Sequence, residues 1–278
     1  HPSRRVIFLG DFIDRGQQQN KVLDTVMAMV EAGSALAVMG NHEFNALAFH
    51  TENPHRPGTW LRPRDDKNIH QHQAFLVEYL GPDREQDLEK VLAFFRSLPL
   101  WLDFGELRVV HAAWHPESME VIKPLLGPGN TLTEELLVES STRGTLEYQA
   151  VEVLLKGMEH ELPDGLYHLD KGGHKRTNVR YWFFKHASGF LRDVIVHPER
   201  FDDDILNVKT SGDLLCGYPE DGPPVFVGHY WMKRGENTPP RRLRSNVACL
   251  DYSAGLGGDL VAYRWQGESE IDNANFVY

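Results

Sequence analysis

Two short apolar segments, each ending in a polar turn, are the feature that most limits what this chain can fold into. The first, at 6–9, runs into "GDFIDRG" at 10–16, and the second, at 36–39, runs into "GNHE" at 40–43. The stretch between them, at 20–33, has apolar residues at helical spacing and predicts an α-helix. Together they predict a βαβ unit with parallel strands and a right-handed crossover. We therefore expect both turns at the same carboxyl edge of a sheet, where open α/β sheets bind ligands.

Further apolar segments predict strands at 107–111, 224–228, 247–251 and 259–263. Two of these also run into a histidine, in "VVHAAW" and in "VFVGHYW". One polar residue at a strand end usually caps a loop or a helix. Four strands that all end in this way favour a shared site instead. The residues concerned carry the oxygen and nitrogen donors that suit Mn, Fe or Zn: Asp11, Asn41, His111 and His229.

Residues 44–98 interrupt the succession of strands and are predicted to be mostly helical. A loop rich in proline and charge, at 52–68, separates the helical stretches. Such a segment is a helical insertion or a lid over the site, and the sequence leaves both open. A hairpin with strands at 100–104 and 107–112 is predicted next. We expect a single domain over 1–278, with no clear second domain.

The charge balance disfavours a nucleic-acid partner. The chain has 40 acidic and 29 basic residues and a formal net charge of −11, which repels a polyanion. It contains no apolar run near the ~18–20 residues that a membrane span needs. Its two cysteines, Cys216 and Cys249, are far apart in the sequence. We therefore expect a protein of the reducing cytoplasm, with no disulfide and no membrane contact. The oligomeric state is left open.

The two turns resemble the motifs of a known family. "GDFIDRG" and "GNHE" match without a mismatch the G-D-x-x-D-R-G and G-N-H-E motifs of the calcineurin-like metallophosphoesterases. "VVHAAW" and "VGHYW" resemble two later motifs of that family. The set is similar to that of the branch holding protein Ser/Thr phosphatases and bacterial diadenosine tetraphosphatases. The resemblance implies an α/β fold, a four-layer α/β/β/α sandwich of two mixed sheets with a helical insertion.

The same resemblance implies a site for two divalent metal ions, with Mn as the first candidate and Fe or Zn as alternatives. Asp11 is expected to bridge the ions, since a carboxylate has two oxygens and cations in such sites lie about 3.5–4 Å apart. Asn41, His111 and His229 are expected to complete the shell of one ion, and Asn41 also to contact the substrate. Ions so placed lower the pKa of a shared water and yield a hydroxide that attacks phosphorus in line.

Catalytic roles are implied for other residues of the two turns. His42 is the expected general acid that protonates the leaving oxygen, and Asp14 is expected to orient its ring. Arg15 is expected to bind phosphate oxygens, which its planar fork suits. Glu43 is expected to support the site without binding metal. Tyr252, in a later segment, is expected to be structural.

Two departures from the family pattern affect these expectations. The family's first motif, D-x-H, whose residues bind the second metal, is absent, and the chain starts nine residues before "GD". We expect a strand and a helix to precede this sequence in the natural protein; the alternative is one crippled metal site. The last motif reads G-H-Y-W and not G-H-x-H, and Trp231 cannot bind a metal. The phosphatase branch shares this second departure.

The motifs indicate the chemistry more sharply than the substrate. They predict hydrolysis of a phosphate ester or anhydride, and a phosphoprotein, a dinucleoside polyphosphate or a small phosphoester all fit. The alternative is a catalytically silent module that only binds phosphate, which the missing D-x-H motif favours. The presence of His42, Asp14 and Arg15 counts against it, because binding needs no general acid. "HQH" at 70–72 is an isolated pattern and is assigned no role.

Overall fold

A computed structural model of the chain describes residues 4–81, 83–169, 173–186, 189–210 and 217–278. These residues form a mixed α/β structure. Within them, no helix is long and apolar enough to cross a bilayer. Cys249 is buried, and Cys216 lies outside the described residues.

The chain begins with the strand, helix and strand that the sequence predicts. Strand β1 (Val6–Phe8) is followed by helix α1 (Gln19–Glu31) and strand β2 (Ala35–Ala37). Strands β1 and β2 pair in parallel, with Val6 opposite Ala35. Their carboxyl ends therefore lie side by side, which confirms the prediction that both turns lie at one edge.

Three helices form the segment that the sequence predicts to be helical. They are α2 (Asn41–His50), α3 (Asp66–Tyr79) and α4 (Glu85–Ser97), and an irregular loop separates the first two. Helix α2 begins at Asn41, so it includes most of the "GNHE" motif. Its start is fixed by Glu43, whose side chain accepts the Gly40 backbone N–H at 2.9 Å, as in a capping box.

A hairpin follows, and then a long stretch of helices and very short strands. The hairpin pairs β3 (Trp101–Asp103) with β4 (Arg108–Val110) in antiparallel fashion, as predicted. The elements after it are, in chain order, α5 (Pro116–Ile122), β5 (Leu126–Gly127), β6 (Thr131–Leu132), α6 (Glu134–Ser141), α7 (Leu146–Lys156), β7 (Met158–Glu161), β8 (His168–Leu169), β9 (Lys175–Arg176), β10 (Asn178–Tyr181), α8 (Leu191–Val194) and α9 (Asp203–Leu206).

The central sheet combines the hairpin with two late strands, β11 (Val225–Val227) and β12 (Val247–Cys249). Its strand order is β12-β11-β4-β3, in which β11 runs parallel to both β4 and β12. Val225 and Val227 pack into one apolar cluster, whereas Phe226 packs into the other. Because side chains alternate across a strand and both faces are covered, β11 reads as a continuous apolar run.

Two predicted strands are each divided in two, which corrects the sequence interpretation. The segments at 247–251 and 259–263 contain, in addition to β12, the strands β13 (Asp251–Tyr252), β14 (Asp259–Leu260) and β15 (Ala262–Tyr263). Strand β14 pairs with β13, whereas β15 pairs with the last strand, β16 (Phe276–Val277). The chain changes its pairing partner between β12 and β13 and again between β14 and β15, so neither apolar segment forms one strand.

Candidate active site

The turn after β1 holds two aspartates in unusual backbone conformations. Asp11 has φ 59° and Asp14 has φ 77°, both in the left-handed region that side chains other than glycine rarely adopt. Gly10, at φ 84°, makes the entry into the turn without that cost. Left-handed positions of this kind concentrate at functional sites, where the surrounding structure holds them.

Glu43 joins the turn after β1 to the turn after β2. Its buried carboxylate accepts backbone N–H groups from Gly40 at 2.9 Å and from Asp11 and Phe12 at 2.8 Å each. Gly10 and Gly40 approach so closely that a Cβ on either residue would overlap the opposite turn. Burial and the neighbouring Asp11 carboxylate raise the pKa of Glu43 to about 7. Glu43 thus supports the site by holding the two turns in one arrangement.

Four polar side chains from different strand ends meet beside these turns, and we call them the ligand cluster: Asp11, Asn41, His111 and His229. Asn41 Oδ1 lies 2.8 Å from His229 Nδ1 and 3.3 Å from His111 Nε2. His111 Nε2 also lies 3.3 Å from Asp11 Oδ1. Asp11 and the two histidines each offer one donor atom, and these atoms lie within 4.8 Å of one another. The structure therefore brings together the four residues that the sequence singles out, while their role stays a prediction.

Burial opposes charge throughout the ligand cluster, and the close contacts decide the outcome. Burial disfavours the ionised form of Asp11, but the neighbouring histidines, His111 first, outweigh it and lower the pKa of the carboxyl. Burial also disfavours protonated His111, but Asp11 and the Leu9 carbonyl raise its pKa to about 9. For His229, burial and nearby cationic groups act together, so its pKa lies well below the ordinary value.

The atoms of the ligand cluster fit a divalent cation. His111 Nδ1 donates to the Leu9 carbonyl at 2.5 Å, which turns Nε2 toward Asp11. His229 Nδ1 lies 2.8 Å from Asn41 Oδ1, so this ring also presents a nitrogen to the cluster. Carboxylate, amide and imidazole donors in this arrangement suit Mn, Fe or Zn. Among the residues that the structure describes, no second group of three or more such ligands occurs.

Asp14, Arg15 and His42 form a second group, the acid cluster, next to the first. His42 Nδ1 lies 2.7 Å from Asp14 Oδ2, and it must donate because a carboxylate only accepts. Arg15 Nη2 lies 3.3 Å from His42 Nε2, and the guanidinium carbon lies 4.2 Å from the centre of the Trp231 ring. Burial disfavours the protonated form of His42, but the Asp11 and Asp14 carboxylates outweigh it and raise the pKa of the ring. Burial also disfavours the ionised form of Asp14, but hydrogen bonds from the two histidines outweigh it and lower the pKa of the carboxyl.

A second histidine, His72, also contacts Asp14, and the sequence interpretation missed it. Its Nδ1 lies 2.7 Å from Asp14 Oδ1, and the residue is 4% exposed. The "HQH" pattern was assigned no role. The signal that could have identified His72 is its spacing from the other buried residues of α3. These residues are His72, Phe75 and Tyr79, at positions i, i+3 and i+7. His70, by contrast, is exposed.

Two aromatic residues from the later motifs take supporting positions. Trp231 stacks against the Arg15 guanidinium, and its backbone N–H donates to Asp251 Oδ2 at 3.0 Å. Tyr252 is buried in the apolar cluster below β11 and β12. This placement agrees with the structural interpretation of Tyr252.

Comparisons with known proteins agree with these motifs. A model of the calcineurin-like phosphoesterase family matches residues 2–146. The bis(5'-nucleosyl)-tetraphosphatase PrpE (asymmetrical) of Anoxybacillus flavithermus is 46% identical over 118 residues, which are 40% of this chain and 44% of that protein. The enzyme of the same name from Geobacillus thermodenitrificans is 30% identical over 118 residues, with the same coverage. The match thus spans less than half the length of these curated relatives.

Comparison with solved structures also found two proteins named as phosphatases. A protein serine/threonine phosphatase from Saccharomyces cerevisiae, described as similar to human phosphatase PP5, is 12% identical with a TM-score of 0.44; the match covers 100% of this chain and 70% of that chain. A cold-active protein-tyrosine phosphatase of a Shewanella species is 17% identical with a TM-score of 0.40, over 92% of this chain and 62% of that one.

Proposed function

Because the chain belongs to the calcineurin-like phosphoesterases, we propose that it is a hydrolase, a metal-dependent phosphatase that cleaves phosphate esters or anhydrides. One observation carries this proposal: the ligand cluster and the acid cluster are adjacent. Asp11 Oδ1, from the ligand cluster, accepts the backbone N–H of His42 at 3.2 Å. A site that only bound phosphate would have no use for a histidine held by a carboxylate beside a group of metal-type donors.

In this proposal the ligand cluster holds the metal, with Mn as the first candidate and Fe or Zn as alternatives. Two ions are implied by the family resemblance, and Asp11, Asn41, His111 and His229 would hold them. A divalent cation at such a site lowers the pKa of bound water and polarises a phosphoryl oxygen. The Leu9 carbonyl keeps Nε2 of His111 directed into the cluster, so this ligand is oriented before any ion binds.

In the same proposal, the acid cluster binds the phosphate and protonates the leaving group. Arg15 binds two oxygens of the phosphoryl group through its fork, and Asn41 contacts the same group. His42 gives the proton on Nε2 to the leaving oxygen, while its Nδ1–H remains bonded to Asp14. The Asp14 carboxylate stabilises the charged ring before transfer. Trp231 limits the positions that the Arg15 guanidinium can take.

The substrate is proposed as a class. The curated relatives are named bis(5'-nucleosyl)-tetraphosphatases, which supports a dinucleoside polyphosphate. A phosphoprotein or a small phosphoester uses the same phosphoryl contacts and differs only in the leaving group. No nucleic acid and no membrane partner is proposed, and the number of subunits is left open.

The finer architecture is proposed on the same basis. We infer a four-layer α/β/β/α sandwich of two mixed sheets, in one domain over 1–278, with 44–98 as a helical insertion or lid. The family match supports this arrangement. A cytoplasmic location is proposed from the low cysteine content of the sequence.

Metal analysis combined with turnover tests the proposed function. The protein is loaded with Mn²⁺, its metal content is measured, and hydrolysis of p-nitrophenyl phosphate is followed. Asp11→Asn is compared with Asp164→Asn, a matched change at an exposed aspartate. We expect bound Mn²⁺ and turnover in the wild type and in Asp164→Asn, and neither in Asp11→Asn.

The outcome also decides between hydrolase and binding module. If phosphate binds but no variant or metal gives turnover, the chain is the silent module and the proposed function is wrong. If turnover occurs, competition between bis(5'-nucleosyl) tetraphosphate and a phosphoserine peptide identifies the substrate class from the larger kcat/KM.

A further inference from the structure

The Asp14 carboxylate is shared by two histidines from different elements. Its Oδ2 accepts from His42 Nδ1 and its Oδ1 accepts from His72 Nδ1, each at 2.7 Å. The Asp14 side chain is 4% exposed. Both rings must donate from Nδ1, because an ionised carboxylate has only acceptors. Each carboxylate oxygen thus accepts a hydrogen bond from a different histidine, and the two hydrogen bonds together fix the orientation of the carboxylate plane.

His72 is itself held rigidly by its surroundings on α3. Its ring stacks on Phe75, with 4.6 Å between ring centroids and 18° between planes. The Phe49 ring packs against it at 5.2 Å. Because the ring has little freedom to rotate, its Nδ1–H is a fixed donor. The segment that carries His72 lies in the helical stretch between β2 and β3, outside both motif turns.

The polar residues around this contact do not duplicate it. A small cavity is lined by Asp14, His42, Asn45, Arg62, Gln71 and His72. Within it, Arg62 donates to Asn68 and Gln71, and neither bond involves Asp14. Among the described residues, the hydrogen bonds to the two Asp14 carboxylate oxygens come from His42 and His72. His72 therefore has a specific part in fixing this carboxylate.

We propose that His72 is a positioning residue for the general acid. By fixing Oδ1, it fixes Oδ2 in line with Nδ1 of His42, and so turns Nε2 of His42 toward the position where the leaving oxygen of a phosphate held by Arg15 would lie. The inference rests on the proposed function, because it names a helper for the acid of that reaction. A purely structural His72 would only attach α3 to the turn after β1.

The two roles differ in how they affect leaving groups. A good leaving group such as p-nitrophenolate departs without a proton, whereas phenolate needs one from the acid. Loss of acid orientation therefore slows phenyl phosphate and spares p-nitrophenyl phosphate. Loss of structure slows both substrates equally.

The test compares His72→Phe, His72→Asn and His70→Phe. His72→Phe keeps an aromatic ring for the stack on Phe75 but cannot donate to Asp14. His72→Asn keeps a donor near the position of Nδ1. His70→Phe is the matched control, on the exposed face of the same helix. Thermal unfolding of each variant reports whether it folds.

We expect His72→Phe to lower kcat for phenyl phosphate by about 10- to 100-fold, the range seen when an outer-shell partner is removed. For p-nitrophenyl phosphate we expect less than about 3-fold, because the acid contributes little to that step. His72→Asn restores most of the loss, and His70→Phe matches the wild type. In a His42→Asn background, His72→Phe causes no further loss on phenyl phosphate.

Equal losses on both substrates in an active enzyme would overturn the inference and leave the proposed function standing. If the wild type is inactive on both substrates, the proposed function fails, and NMR of the ring nitrogens then decides the inference. At a pH high enough to make the His42 ring neutral, we expect its Nδ1–H tautomer in the wild type and a mixture of tautomers in His72→Phe. An unchanged His42 tautomer in His72→Phe would contradict the positioning role.

Discussion

The two halves of the site differ in what surrounds their carboxylates. In the acid cluster, both Asp14 oxygens accept a ring N–H, one from His42 and one from the adjoining His72, each at 2.7 Å. In the ligand cluster, donor atoms of Asp11, His111 and His229 lie within 4.8 Å of one another. Buried Nε2 atoms without a hydrogen-bond partner occur on both sides, at His72 and at His229. The Asp14 carboxylate is thus satisfied by protein atoms, whereas the convergent oxygen and nitrogen donors of the ligand cluster suit a cation.

The largest effect should come from the ligand cluster. His111→Leu removes a donor without leaving a new buried polar atom on residue 111. We expect Mn²⁺ affinity to fall and kcat/KM to drop about 10³-fold, since a metal supplies several kcal/mol to such a step and each 1.4 kcal/mol is tenfold. Calorimetric Mn²⁺ titration and phosphatase kinetics measure both. The control is His55→Leu, at an exposed histidine; unchanged Mn²⁺ binding in His111→Leu would contradict the assignment.

A change at Glu43 should affect both halves, because its carboxylate holds the two turns together. In Glu43→Gln the amide nitrogen faces backbone N–H groups and cannot accept from them. We expect the free energy of unfolding to fall by about 2 kcal/mol, the cost of an unpaired buried donor. Urea unfolding measures this, with exposed Glu106→Gln as the matched control. Equal stability of the two variants would show that the three N–H contacts of Glu43 are unimportant.

The ring of His50 packs beside that of His72, and its environment predicts how the stability of the protein depends on pH. Burial first, and then His72 and Arg64, lower the pKa of His50 from 6.5 to about 4. Between these values the unfolded chain binds a proton that the folded chain does not, so stability falls as pH drops from 6.5 toward 4. Because His50 is partly exposed, we expect about 1–2 kcal/mol and not the full shift.

The measurement is the difference in unfolding free energy between pH 7.5 and pH 4.5. His50→Phe should show a smaller decrease than the wild type, because the ring that resists protonation is gone. His55→Phe, at an exposed position, should behave like the wild type. Parallel pH curves for His50→Phe and the wild type would be evidence against the lowered pKa.

The smallest expected effect concerns Arg15. Its guanidinium lies 4.2 Å from the Trp231 ring centre, and a contact of this kind at an exposed site contributes about 0.5–1 kcal/mol. Trp231→Leu should therefore raise KM about 2- to 5-fold with kcat nearly unchanged. Steady-state kinetics test this, with Trp265→Leu as the control. A fall in kcat with unchanged KM would assign Trp231 to the chemical step instead.

The part of the site that follows strand ends could be predicted from the sequence. Asp11 and Asn41 come after parallel neighbours, and His111 and His229 come after the parallel strands β4 and β11. Within each pair, parallel strands deliver such residues to one edge, whereas the meeting of the two pairs depends on how the two sheets pack. The motifs that indicate the family branch could also be read from the sequence, because each of them lies in one short contiguous segment.

The remaining features depend on packing between segments that are distant in sequence. His72 reaches Asp14 only because α3 packs across the first turn, and nothing in "HQH" specifies that contact. The division of the segment at 259–263 depends on which strand pairs with each half. Glu43 is a motif residue, but its role as a link between turns depends on three backbone N–H groups and not on side chains.

The contact between Gly10 and Gly40 has a consequence for the choice of ion. A Cβ at either glycine would overlap the opposite turn, so a substitution at either position would distort the turns that carry Asp11 and Asn41. At Gly228, beside His229, a Cβ would meet only ordinary van der Waals contacts at 3.6 to 3.7 Å. Engineering the site for a cation of different radius therefore has to proceed through the histidines, with the two turns as the invariant side of the cage.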